Sequence, residues 1–143
     1  MKKLLVIALF AVALTTSSFA AGGKKVNFFA LTSFKSQFKD ASNVSWSEGQ
    51  GYTKATFVSN SEKMEAFYNA SGELIATSRK ADLNSLPVKT KRVLATKLEG
   101  YTVKEAIRIE GPDERAYYIS AQNEKGSVIY KVEDSGFVTE QKI

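Results

Sequence analysis

The side chains that could do chemistry are few in kind. With no histidine and no cysteine in 143 residues, the chain lacks the usual general base near neutral pH, a thiolate nucleophile and the common zinc ligands. Serine beside lysine occurs at Ser33, Lys35 and Ser36. On a short helix that lysine is expected to be solvated, and nothing nearby supplies an oxyanion hole. The carboxylates gather at turns, chiefly Asp113-Glu114 and Glu133-Asp134. Turn chemistry accounts for them. Oxygen-rich turns of exported proteins can also hold calcium weakly, so Asp113, Glu114, Glu133 and Asp134 are the candidate metal ligands. The expectation is a protein that is not an enzyme and needs no cofactor, with calcium the one ion to consider.

What the chain offers instead is aromatic rings set among charges. Trp46, Tyr52, Lys54, Phe67, Tyr117 and Ile119 form the candidate partner-binding set, because rings partly exposed among charges are the usual anchors of protein interfaces. Tyr52, Phe67, Tyr117 and Ile119 are placed by strand parity on the face away from the core, interleaved with Lys54, Glu65 and Lys131. The alternative is that this face packs against the other half of the chain. Trp46 depends on one loop: with three loop residues, Gly49-Gln50-Gly51, it joins the Tyr52 face, and with a two-residue Gln50-Gly51 turn it enters the core.

The elements that must position these residues follow a leader. Lys2-Lys3, an apolar run 4–14 and small residues around Ala20 have the layout of a secretory signal peptide, with cleavage expected after Ala20. The run is short of the roughly 20 residues that span a bilayer. The expected product is periplasmic or secreted, without a membrane anchor, and forms one domain over 21–143. Formal net charge is +5 for the whole chain and +3 without the two leader lysines. Basic residues are scattered except for Lys89, Lys91, Arg92 and Lys97, which read as a solvated helix face. No concentrated basic footprint exists for nucleic acid.

Apolar spacing predicts a helix over 27–39 with Leu31, Phe34 and Phe38 inward, and a second that starts near Asn84 or Ser85 and ends at Gly100, with Leu86, Thr90, Val93, Leu94 and Leu98 inward. Strands are expected at 44–48, 52–59, on both sides of Ala70-Ser71-Gly72, and at 101–110, 115–122, 127–133 and 137–141. If Asn60-Ser61 is a two-residue loop, Phe57 faces Met64, Ala55 faces Ala66 and Thr53 faces Tyr68, with Leu74 and Ala76 on the same core face. The order helix, strands, helix, strands predicts an α+β fold of two tandem repeats, about 26–80 and 82–143. Superposing Gly72 on Gly126 then places Tyr118, Val128, Tyr130, Val132 and Val138 in the second core.

Asn43-Val44-Ser45-Trp46, Tyr52-Thr53-Lys54-Ala55-Thr56-Phe57, Ala66-Phe67-Tyr68-Asn69-Ala70-Ser71-Gly72-Glu73-Leu74, Leu86-Pro87 and Glu99-Gly100-Tyr101 resemble the PepSY-like proteins with a β-lactamase-inhibitor-like fold, small exported proteins common in Bacteroidetes. The resemblance spans about 26–143. It implies tandem units of a helix on antiparallel strands, and a non-catalytic module that recognises or inhibits another envelope or secreted protein through an exposed sheet face. A periplasmic sensor of a small ligand or calcium is the alternative. Where the family pattern has a proline before the first strand, this chain has Lys39-Asp40-Ala41, and the disulfides of the better-known inhibitors have no counterpart here.

Overall fold

The structure is a computed structural model that describes residues 26–141; the expected leader, 1–20, lies outside the described residues. Helix α1 (Phe28–Gln37) leads into strands β1 (Ser42–Gly49), β2 (Tyr52–Ser59), β3 (Glu62–Tyr68) and β4 (Leu74–Lys80). A short 3-10 turn (Leu83–Ser85) and helix α2 (Val88–Lys97) precede β5 (Thr102–Glu110), β6 (Arg115–Asn123), β7 (Gly126–Glu133) and β8 (Val138–Gln141). All eight strands form one antiparallel sheet in chain order. Among the described residues no helix is long and apolar enough to cross a membrane.

The local chemistry explains these boundaries. Asn27 caps α1 by accepting from the backbone N–H groups of Phe29 and Ala30. Pro87 precedes α2, and Gly100 follows it in the left-handed conformation. Asn60 and Ser61 both have positive φ, the geometry of a tight hairpin turn, and they set the register between β2 and β3. The expected pairs Phe57–Met64, Ala55–Ala66 and Thr53–Tyr68 are all present.

Both helices cover the same face of the sheet. Under α1, Ala30 and Phe34 pack with Ala55, Phe57, Ala66, Tyr68, Met64 and Leu74. Beneath α2, Leu94 packs with Ile119, Ala121, Val128, Tyr130, Val132 and Val138. The pairing ladder carries one face continuously from Ala66 to Thr77, Glu110 and then Arg115. Ala106, four residues before Glu110 and so on the same side of β5, belongs to the cluster under α2. Between the two covered regions this face is polar: Arg79 stands opposite Arg108. Such a like-charge pair needs neighbours of opposite sign, and Glu62 lies 3.6 Å from Arg79 while Glu110 and Asp134 bind Arg108.

Three expectations for the interior are corrected. Ala76 is on the opposite face, because a bulge between the Phe67–Ala76 and Tyr68–Leu74 pairs keeps Leu74 under α1 and turns Ala76 away. In β6 the predicted parity is reversed. Asn123 pairs with Gly126 around a Glu124-Lys125 loop, so Ile119 lies opposite Tyr130, Tyr117 opposite Val132, and Tyr118 on the helix-free side. Along α2, Val93 is 40% exposed instead of buried.

Candidate functional site

The helix-free face has its own apolar floor. Phe67, Ala76, Ile107, Ile109, Ala116, Tyr118 and Ile129 are buried together, with Tyr52 and Ile75 packed against them. Phe67 is 1% exposed and Tyr118 2% although neither helix covers them. On a flat uncovered sheet such rings would stand in water, so neighbouring strands must curl over them and the face is concave. Strand alternation supplies the residue set, and the twist of an eight-stranded sheet supplies the curvature.

Tyr52 is the most accessible aromatic group of this floor. Its ring meets Phe67 edge-on, with centroids 5.6 Å apart. The same ring covers Gly49, where a side chain would overlap it. Burial, and secondly the charge of Glu65, push the Tyr52 phenol above its ordinary range. Beside it the largely buried Lys54 donates to Glu65 at 2.8 Å. Toward β6 and β7, Tyr118 donates to Glu114 at 2.6 Å, and Lys131 pairs with the same carboxylate oxygen at 2.6 Å. The face is thus apolar at its centre with an ion pair toward either side. An open groove of about 1010 Å³ continues from it where β4 and β5 separate, lined by Lys63, Glu65, Ser78, Lys80, Glu105 and Ile107 among others. Burial, and then Glu65, raise the Glu105 carboxyl above the usual carboxylate range.

Of the six residues expected to bind a partner, Tyr52, Lys54 and Phe67 come together here, and Phe67 is floor rather than surface. Tyr117 and Ile119 lie under α2 because of the reversed parity, and Ile119 is fully buried. Tyr117 packs against Arg108, whose guanidinium lies 4.5 Å from the ring centroid. Trp46 also leaves the set: Gly49 pairs with Tyr52 around a Gln50-Gly51 turn, which places Trp46 opposite Ala55 and edge-on to Phe34 at 5.2 Å, under α1. The parity expected for β7, with Val128, Tyr130 and Val132 inward, already turns Ile129 to this face, whereas Tyr118, Ile107, Ile109 and Ala76 were missed. For Tyr118 the deciding feature is the two-residue Glu124-Lys125 loop, which sets the parity of β6 against β7.

The four acidic residues of the turns do meet, around a shallow hollow of about 320 Å³. Cations already pair with its carboxylates: Lys131 pairs with Glu114 and lies 3.9 Å from Glu133, and Arg108 grips Asp134 with both terminal nitrogens. Arg108 holds the Asp134 carboxyl below its usual range. Among the described residues no group of three or more carboxylates is arranged to hold a metal ion.

No family model matches the chain, and no curated protein does. Solved structures do. A protein of Bacteroides eggerthii, proposed to be periplasmic, superposes with a TM-score of 0.72 at 15% identity over 83% of this chain and 89% of its own. A BLIP-like protein of Bacteroides fragilis gives 0.72 at 14% over 85% and 88%. A DUF2874 family protein of Bacteroides ovatus gives 0.71 at 17% over 82% and 89%. At such identities the likeness concerns fold alone, and on that ground the two helices and eight-stranded antiparallel sheet of the described residues constitute a BLIP-like fold.

Proposed function

We propose that this chain is an exported, non-catalytic binding module that recognises another envelope or secreted protein through the helix-free face. The observation that carries the reading is the half-buried Tyr52 ring, set on Phe67 beside the Lys54–Glu65 pair. A rigid ring over an apolar floor, flanked by ordered charges, offers large contact area at small entropic cost. Export rests on the leader-like first 20 residues. The absence of histidine and cysteine supports a role without catalysis. Kinship with PepSY-like proteins rests on the motif residues alone.

An internal duplication is part of the same proposal. Offsets of 60 and then 64 residues carry Ala30, Phe34, Trp46, Ala55, Phe57, Met64, Ala66, Tyr68 and Leu74 onto Thr90, Leu94, Ala106, Ile119, Ala121, Val128, Tyr130, Val132 and Val138. These are the interior positions of the two helix-covered regions. Two such units joined edge to edge give one continuous face on which a partner can rest.

The test is capture from envelope extract by the full chain and by Tyr52→Ala, after circular dichroism has shown that the variant is folded. A protein held by the wild type and released by the variant supports the reading. The same background on both would remove it, and the acidic turns would then be the next place to look for a ligand.

A further inference from the structure

Among the described residues, strand β1 is one open edge of the sheet and β8 the other. The two differ in a way that bears on assembly. Edge strands present unpaired backbone N–H and C=O groups, and proteins commonly protect them with lysine, proline, bulges or brevity. Strand β8 is four residues long. Strand β1 is eight residues long and carries one charge, Glu48, with no lysine, arginine or proline. A bulge between Ser42 and Ser45, with Asn43 at φ 53°, interrupts its start. Residues 45–49 pair with β2 without interruption, and among the described residues no strand pairs with their outer side.

We propose that β1 is the interface for a second copy of this chain, in an antiparallel two-fold pair centred on Trp46. The side chains of β1 suit that register. Trp46 would face its own copy on the helix side, where each ring already rests against Phe34. Ser45 would stand opposite Ser47 of the copy, and Val44 opposite Glu48. No like charges are opposed, and Val44, now 39% exposed, is covered. The incomplete burial of Trp46 has its cause in the same place, since among the described residues no strand lies beyond β1 to cover the ring. Pairing of β1 with β8 would instead be head-to-tail and would give rings or filaments, not a two-fold pair. The interface is separate from the concave face, so either proposal can fail without the other.

The experiment uses the full chain and its only tryptophan. Sedimentation should show a concentration-dependent dimer, with Trp46 emission moving to the red on dilution. Val44→Glu sets a new carboxylate against Glu48 of the copy twice per dimer and should weaken dimerisation roughly tenfold or more. Adding Glu48→Lys to Val44→Glu should restore it. Positions 44 and 48 of one strand are about 13 Å apart, too far for that rescue to arise within one chain. A wild type that stays monomeric to millimolar concentration would overturn the proposal. So would a dimer indifferent to Val44→Glu, a double variant that is not rescued, or open-ended polymers.

Discussion

Tyr118 and Glu114 share a 2.6 Å hydrogen bond on the helix-free face, and the carboxylate oxygen that accepts it is also the one paired with Lys131. Burial first, and then this carboxylate, raise the Tyr118 phenol well above its ordinary range, while burial pushes Tyr68, which donates to Gln37, up to about 12. Both phenols therefore keep their protons in the folded chain when the unfolded chain loses them. Their contribution is fully present below the unfolded value near 10 and is lost as pH rises from there toward 12 and beyond. Urea midpoints should fall across that alkaline window. Tyr118→Phe should soften the fall and, at neutral pH, cost about 1.5–3 kcal/mol for a hydrogen bond to a charged group.

Phe67 and Tyr52 touch but should behave differently. Phe67→Ala empties a site that is 1% exposed and should destabilise the chain by about 3–5 kcal/mol, too much for a clean binding probe. Tyr52→Ala removes a half-buried ring and should cost clearly less, so that any lost binding reports on contact. Chemical denaturation of the two variants measures the difference.

Arg108 and the acidic turns predict an outcome for both acid and calcium. The depressed Asp134 carboxyl contributes stability above the unfolded value near 4, and loses it as pH falls through its lower folded value. Asp134→Asn should therefore be less stable than wild type at neutral pH and equal to it in strong acid. Since Arg108 and Lys131 already pair with carboxylates of the hollow, millimolar calcium should leave the melting temperature unchanged in both proteins. A calcium-dependent rise lost in Asp134→Asn would revive the turns as a ligand site.

Gly72 and Gly51 both have positive φ, but only Gly72 lies against something: a side chain there would run into the backbone of Phe29 at the start of α1. Gly51→Ala meets only backbone strain of about 1 kcal/mol. Gly72→Ala should cost more and loosen α1, which thermal melts followed in the helical region of the circular dichroism spectrum can read.

These contrasts also show how far the sequence could carry the fold. The register from Tyr52 to Tyr68 was legible because Asn60-Ser61 admits one tight turn, and each apolar residue then finds an apolar partner. From Tyr117 onward the pattern Tyr-Tyr-Ile-Ser-Ala is apolar on both faces. Hydrophobicity there cannot choose a side, and one residue of loop length decides it. The concave face was obscured for the same reason: its floor is as apolar as a core, and only three-dimensional curvature distinguishes it from one. Tyr52 and Lys54 were recoverable because their strand alternates cleanly under α1.

The junction between β4 and β5 has a consequence for kinetics. Each strand pairs with its neighbours in the chain, so the protein can zip hairpin by hairpin with short loop closures, the condition for rapid folding. The two central strands are joined only over 77–80 against 107–110, whereas β5 and β6 are paired along most of their length. Opening should therefore begin at that seam, parting the chain into two cooperative halves whose amides exchange with solvent as separate groups.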